Sequence, residues 1–177
     1  MKNIKASTRY AKALLDLSIE KNQLDAVYND IASLRSLCEE SKDLVSLLNS
    51  PIVKADKKQG ALTAIFGSNF SELSLNYINL LVDKKREALI PTIAQQFVKA
   101  YEAHKNILTV EVTSAIKLDD TAKQKVLSLV KHDGEINLIE KVDASLIGGF
   151  IVRMGDKQID ASIARKFKNL RKEIILN

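Results

Sequence analysis

The chain is poor in the residues that interrupt secondary structure. In 177 residues there are only 2 prolines and 6 glycines, and tryptophan is absent. Proline and glycine are the usual breakers of helices, so their scarcity favours long helical segments. At 46% hydrophobic residues, the chain is also too apolar to be disordered. We therefore expect a globular, mainly helical protein of one large or two small domains.

Cysteine is nearly absent as well, since Cys38 is the only one. A single cysteine excludes an intrachain disulfide and favours a reducing compartment. Cys38 falls on the apolar face of a predicted helix, so we expect its side chain to be buried as a small hydrophobic residue. The alternative is a reactive thiol. No apolar run reaches the ~18 residues that a membrane span requires, so we expect a soluble protein.

The positive charge is not concentrated in one part of the sequence. Residues 1–105 carry 15 basic and 12 acidic side chains, and residues 106–177 carry 12 and 10. A nucleic-acid-binding protein usually gathers its cations on one face. The net charge of +5 is therefore interpreted as solvated helix surfaces.

Apolar residues recur at three- and four-residue steps through residues 3–105, which predicts six consecutive helices. The predicted helices cover residues 4–21, 23–40, 41–51, 54–66, 70–84 and 87–105. Ser41 is a predicted N-cap, Pro51 ends the third helix, and Pro91 is tolerated in the first turn of the sixth. Short loops between short helices favour a compact bundle.

The period changes at Asn106. Leu108, Val110 and Val112 alternate with polar residues, as in a half-buried strand. The elements predicted after this strand are a helix over 119–132 capped by Asp119 or Asp120, strands over 135–143, 149–154 and 157–161, and a last helix capped by Ser162. The second half is thus a small α/β domain with a short sheet.

The stretch LIGGFIVRMGDKQIDASI, residues 146–163, is rich enough in glycine to suggest a phosphate-binding loop. Such a loop needs glycines that lead into a helix, often with a lysine in fixed register. Gly148 and Gly149 lead into a strand instead, and neither GxGxxG nor GK[ST] is present. They are better explained as a bulge or a close backbone approach, with Gly155 and Asp156 as the two-residue turn of a hairpin.

No residues with the spacing of a catalytic or metal site are found. His104 and His132 lie at predicted helix ends, without a partner at metal-ligand spacing. The neighbouring carboxylates also lie at helix termini, where capping explains them: Asp83, Glu87, Asp119 and Asp120. The sequence predicts no catalytic residue, no metal and no cofactor.

The chain resembles, over nearly its whole length, the delta subunit of the F-type ATP synthase, a relative of the mitochondrial oligomycin-sensitivity-conferring protein. RYAKALLDLS, LLNSPIVKADKK and VEVTSAIKLDD are similar to the family's sequences, and the most specific match lies in VDASLIGGFIVRMGDKQIDASI. The signature residues there are Asp143, Leu146, Gly148, Gly149, Gly155, Asp156, Asp160 and Ser162. The departures are Lys85 and Ala161, where glycine is common, and Ala144, where proline is common.

The resemblance implies a non-catalytic stator subunit that links the alpha/beta catalytic head to the peripheral stalk, so that rotary proton-driven ATP synthesis is coupled. Residues 1–105 would be a six-helix bundle that docks on the head. Residues 106–177 would dock on the b subunits of the stalk. The protein would lie at the cytoplasmic face of the bacterial inner membrane, attached only through the complex, and would bind no nucleic acid.

The resemblance also implies that the N-terminal helix of an alpha subunit packs into the groove between helices one and five. By helical spacing, one wall comprises Ala6, Tyr10, Ala13 and Leu17, and the other comprises Tyr77, Leu80 and Lys84. For the first set, burial in the core of the bundle is the alternative.

Two other functions remain as alternatives. An RNA-binding module could use the basic last helix and the small α/β domain, but Phe150 is the only aromatic residue on a predicted strand, and such modules stack bases on several. A small-molecule enzyme would need a nucleophile or base, for which there is no candidate.

Overall fold

Helices dominate the computed structural model, which describes residues 4–130, 132–155 and 157–176. The described residues divide into two compact units, one up to Tyr101 and one from Glu102 onward. The helices of the first unit are α1 (Ile4–Glu20), α2 (Leu24–Glu40), α3 (Lys42–Asn49), α4 (Ala55–Phe66), α5 (Glu72–Asp83) and α6 (Ile90–His104), of which the residues from Glu102 onward fall in the second unit. A 3-10 turn, Glu87–Leu89, precedes α6, so the sixth predicted helix is divided at its start.

The helices begin and end where local chemistry dictates. The hydroxyl oxygen of Ser41 accepts a hydrogen bond from the Leu44 amide (3.2 Å), which confirms it as the cap of α3. Asn22, Lys85 and Asn106 follow α1, α5 and α6 with φ of 54–55°, the left-handed conformation that ends many helices. Lys85 thus takes up a conformation that glycine would adopt more easily.

The interior of the first unit is built from the apolar faces of its helices. Its largest fully buried apolar side chains are Leu14, Val27, Ile31, Leu34, Leu48, Leu62, Ile78, Leu81, Ile90, Ile93 and Phe97. Cys38 is 8% exposed, and burial, with the nearby Glu39, raises the pKa of its thiol to about 11. The prediction that Cys38 is a buried hydrophobe is confirmed.

A buried ion pair lies in this interior. The Lys58 ammonium donates to the Glu87 carboxylate (2.7 Å) and to the Leu48 carbonyl oxygen (3.1 Å), and its side chain is only 2% exposed. The pair joins α4 to the end of α3 and to the 3-10 turn. Sequence reasoning explains Glu87 by capping alone and does not single out Lys58 as buried, because lysine is almost never fully buried unless it is paired.

The second unit is a four-stranded mixed sheet with two helices. Its elements are β1 (Ile107–Ser114), α7 (Asp120–Leu129), β2 (Glu135–Val142), β3 (Phe150–Met154), β4 (Lys157–Asp160) and α8 (Ile163–Leu176). The strand order is β2-β1-β3-β4, with β1 parallel to β2 and antiparallel to β3. Val110 and Val112 lie opposite Leu138 and Val152, respectively. The Asp119 carboxylate caps α7 by accepting from the Ala122 amide at 2.8 Å, as predicted.

One face of the sheet forms the core of the second unit. Val110, Val112 and Val152 are fully buried there with Val126 of α7, and Phe150 packs against them. The predicted inward side of β1 is therefore confirmed. The last turn of α6 belongs to this unit, since the Thr109 hydroxyl donates to the Glu102 carboxylate at 2.9 Å.

Candidate docking surfaces

The first helix is apolar on two adjacent faces, and only one of them is buried. The buried face consists of Ser7, Ala11, Leu14, Leu15 and Ser18. Small residues dominate it, which allows neighbouring helices to approach closely.

The other apolar face of α1 carries the residues predicted for the first wall of the groove. Ala6 and Tyr10 are half-buried, Ala13 is exposed, and Leu17 is 36% exposed. None of the four belongs to the core, so the alternative of core burial is wrong for them. α1 retains an apolar line that its own unit leaves open.

Helix α5 lies beside this face. The Tyr77 hydroxyl donates to the Tyr10 carbonyl oxygen at 3.0 Å, which ties the middle of α5 to α1. Tyr77 is 8% exposed, and burial, with the neighbouring Tyr10, raises the pKa of its hydroxyl, so it remains protonated and able to donate at neutral pH. Tyr77 therefore joins the two helices, while Leu80 (46% exposed) and Lys84 are open to solvent.

The start of α5 is anchored from the interior. The Asp30 carboxylate of α2 accepts from both the amide and the hydroxyl of Ser71, at 2.9 and 2.7 Å. Ser71 in turn caps α5 through the Ser74 amide at 3.4 Å. Sequence reasoning missed this contact because Asp30 and Ser71 are 41 residues apart. It fixes α5 at its N-terminal end, as Tyr77 does at its middle.

The signature residues of the second unit shape the connections around β3 and β4. The Asp143 carboxylate accepts from the Ser145 amide at 2.9 Å, forming a tight turn before the half-buried Leu146. Hydrogen bonding by the Ser145 side chain, and then by its amide, holds the pKa of Asp143 below its usual range. Met154 pairs with Lys157, so the predicted two-residue turn is confirmed; Gly155 has a φ of 54°, and Asp156 lies outside the described residues.

Gly148 and Gly149 lie where the chain approaches the start of α8. Their φ angles are 152° and 79°, and the Gly148 carbonyl oxygen accepts from the Ile163 amide at 3.0 Å. A side chain on Gly149 would collide with the Ala161 carbonyl oxygen, 2.5 Å from the position of its Cβ. The prediction of a close backbone approach is confirmed.

The N-terminus of α8 is capped by the chain itself. Ser162 accepts from the Arg165 amide at 3.2 Å, and Asp160 accepts from the Ser162 amide at 3.0 Å. These contacts with Ser162, together with Arg165, hold the pKa of Asp160 below its usual range. A carboxylate that stays ionised at this helix start disfavours a phosphate there.

Neither alternative function gains support from the geometry. Phe150, the one aromatic residue in the four described strands, packs in the core and is not available for stacking bases. In the part of the chain that the structure describes, no group of three metal-binding side chains occurs. No described helix is both long and apolar enough to cross a bilayer.

Comparison with known proteins gives consistent results for sequence and structure. The family model described as the ATP synthase delta (OSCP) subunit matches residues 6–174. The ATP synthase subunit delta of Cytophaga hutchinsonii is 36% identical over 173 residues, covering 97% of this chain and 94% of that protein. The corresponding subunit of Christiangramia forsetii is 34% identical over 176 residues, covering 98% and 95%.

Among solved structures, a chain of the Toxoplasma gondii mitochondrial ATP synthase hexamer superposes with a TM-score of 0.75. The two chains are 26% identical, and the match covers 96% of this chain and 97% of that one. The shared fold is mainly helical with a small mixed sheet.

Proposed function

Because the chain belongs to the ATP synthase delta (OSCP) subunit family, whose members are structural and not catalytic, we propose that it joins the catalytic head of the enzyme to its peripheral stalk. The stator must resist the torque of the turning central stalk. Such a joint needs several stiff contacts and no chemistry.

The six helices of the first unit form the bundle that docks on the head. The observation that carries this proposal is the second apolar face of α1, which stays open beside α5. Tyr77 fixes the spacing of the two helices through its hydrogen bond to Tyr10, which supports a groove that is in place before a partner arrives. A preformed groove reduces the conformational entropy that is lost on binding.

The occupant of this groove is the N-terminal helix of an alpha subunit. An amphipathic helix laid into a hydrophobic groove presents anchors at three- and four-residue steps. Ala13 lets such a backbone approach closely, Leu17 and Leu80 supply exposed apolar surface, and Lys84 supplies a charge at one end.

The second unit, from β1 to α8, docks on the b subunits of the peripheral stalk. The protein is held at the cytoplasmic face of the bacterial inner membrane through the complex alone. The family signature shapes this unit by fixing the β3–β4 hairpin and the start of α8, which supports a structural role for the signature residues.

The groove is tested with the full-length chain and a synthetic peptide of the alpha-subunit N-terminus. Ala13→Asp places a carboxylate where the peptide would exclude water, at a cost of several kcal/mol for an unpaired buried charge. Each ~1.4 kcal/mol is tenfold in affinity. We therefore expect at least about hundredfold weaker binding by calorimetry, with unchanged circular dichroism.

Ala26→Asp is the matched control, because Ala26 is an exposed alanine on α2, which is neither of the two helices that line the groove. It should bind the peptide as the unmodified chain does. Normal binding by a folded Ala13→Asp protein would place the alpha subunit elsewhere.

A further inference from the structure

The second unit exposes a small apolar surface beside the start of α8. Phe167 is 67% exposed, Ile147 is 80% exposed, and Ile163 is 38% exposed. The hydrogen bond from the Ile163 amide to the Gly148 carbonyl oxygen holds the loop that carries Ile147 against the first turn of the helix. We call Ile147, Ile163 and Phe167 the α8 patch. Clustered exposed apolar side chains mark interaction sites more often than single ones do.

Cations flank this patch on both sides. Phe167 lies one turn after Ile163 on the same line of the helix, and at 100° per residue Lys166 and Arg171 fall on opposite sides of that line. Both are exposed. The described side chains of α8, residues 163–168 and 171, include four cations and no carboxylate. The surface is an apolar line between two positive edges.

We propose that the α8 patch docks an acidic amphipathic helix of the peripheral stalk, one whose apolar line has Glu or Asp on each side. This inference rests on the proposed function, to which it adds a place and a partner chemistry. Charges that flank an apolar seam select the partner and its orientation, as in coiled coils. The patch supplies the seam and Lys166 and Arg171 supply the flanking charges.

A basic amphipathic helix can also lie on an anionic membrane, and the structure favours a protein partner over that alternative. Membrane-surface helices bury their whole apolar face in the lipid headgroup region. Here the first turn of α8 is held by its own unit, since the Ile163 side chain occupies the space that Gly148 leaves open. Part of the apolar line is therefore already engaged within the unit, which favours a helix that contacts Phe167 and Ile147 over insertion of the whole face into lipid.

The test uses the full chain and, as the probe, the water-soluble part of the b subunit from the same ATP synthase. Phe167→Ser should weaken b binding by at least about tenfold, since exposed aromatic anchors dominate such contacts. Lys166→Glu should weaken it by about threefold to tenfold, mainly through slower association. Added salt should weaken binding to the unmodified chain.

The matched controls are Ile116→Ser and Lys125→Glu, which change an exposed isoleucine and an exposed lysine elsewhere in the same unit. Both should bind b normally. Because Phe167 and Lys166 are exposed, their variants should melt as the unmodified chain does, and Lys166→Glu tests the surface even if Phe167→Ser is unstable.

The outcomes separate the two proposals. If the unmodified chain fails to bind b, the stalk half of the proposed function is wrong, and this inference with it. If it binds b and the folded patch variants bind equally well, only the α8 patch is wrong. Vesicles of phosphatidylglycerol and phosphatidylethanolamine provide the last arm: vesicle binding that depends on Phe167, without an effect on b binding, would identify the patch as a lipid contact.

Discussion

At Gly149 the backbone holds a conformation that only glycine adopts without strain. Its φ is 79°, and an added Cβ would lie 2.5 Å from the Ala161 carbonyl oxygen and 3.0 Å from the Ser162 Cα. Gly149→Val should therefore destabilise the second unit by roughly 3 kcal/mol or more, from backbone strain and collision together. Urea unfolding followed by circular dichroism measures the loss, and binding of the b subunit should weaken while the first unit stays folded.

Gly60 is the control for that substitution. It lies within α4, and a Cβ there would meet nothing within 4 Å. Gly60→Ala should raise the stability by about 1 kcal/mol, because alanine loses less backbone freedom in a helix. An unchanged melting curve for Gly149→Val would show that Gly149 is not structurally required.

Lys85 is a residue with a side chain in a backbone conformation that favours glycine. Its φ is 55° at the end of α5, and a residue with a Cβ pays for that left-handed conformation. Lys85→Gly should raise the free energy of unfolding by up to about 1 kcal/mol, after the larger freedom of glycine in the unfolded chain is subtracted. Thermal unfolding of the full chain measures this change in stability. A clear loss of stability would mean that the Lys85 side chain makes a contact that stabilises the fold by more than its backbone strain costs.

On the scale of whole elements, the pair of Lys58 and Glu87 fixes α4 against the 3-10 turn before α6. Removing one partner leaves the other charge buried and unpaired, which typically costs about 3–5 kcal/mol. We expect a loss of about that size for Glu87→Leu, and a smaller one for the double variant Lys58→Met/Glu87→Leu. A double-mutant cycle in urea measures both, and equal losses for the single and double variants would contradict this account.

The same pair predicts how stability depends on pH. Burial alone would raise the pKa of Glu87, but the hydrogen bond and charge of Lys58 outweigh it, with help from a backbone hydrogen bond and Lys85, and lower the pKa below 4.5. A carboxyl whose pKa is lower in the folded state stabilises the fold above its unfolded pKa. This contribution is lost as the pH falls through the lower, folded value. Glu87→Gln should therefore show a shallower loss of stability below about pH 4.5 than the unmodified chain.

Helix α1 shows which property of an element its sequence can predict. The bounds of the helix follow from a local period and were predicted to within one residue of Ile4–Glu20. The face that is buried depends on which helices surround it. Ser7, Ala11 and Ser18 are buried because neighbours pack close to small residues, whereas the larger Leu17 stays partly exposed. Hydrophobicity alone would predict that Leu17 is buried and that Ser7 and Ser18 are exposed.

On the scale of the whole molecule, the point where the apolar period changes from helical to alternating predicts a boundary between two separately folded parts, which proteolysis can test. Lys105 is exposed and follows the last residue of α6, and β1 begins at Ile107. Limited digestion with trypsin should cut first after Lys105 and release a stable helical fragment 1–105, identified by mass spectrometry. First cuts within residues 10–80, with no surviving fragment, would contradict the division into two separately folded parts.

The sequence by itself determined the order and type of nearly all the elements, the caps at Ser41, Asp119 and Ser162, and the hairpin turn at Gly155. These depend on periodicity and on contacts within a few residues, which a sequence displays directly. Only the tertiary structure decided that Lys58 is buried with Glu87, that Asp30 anchors Ser71, and that Tyr77 bonds to the backbone of α1. Each of these contacts joins residues 29 to 67 positions apart. Removing such groups from water costs free energy, which is offset only when the packing of the whole chain brings both partners into contact.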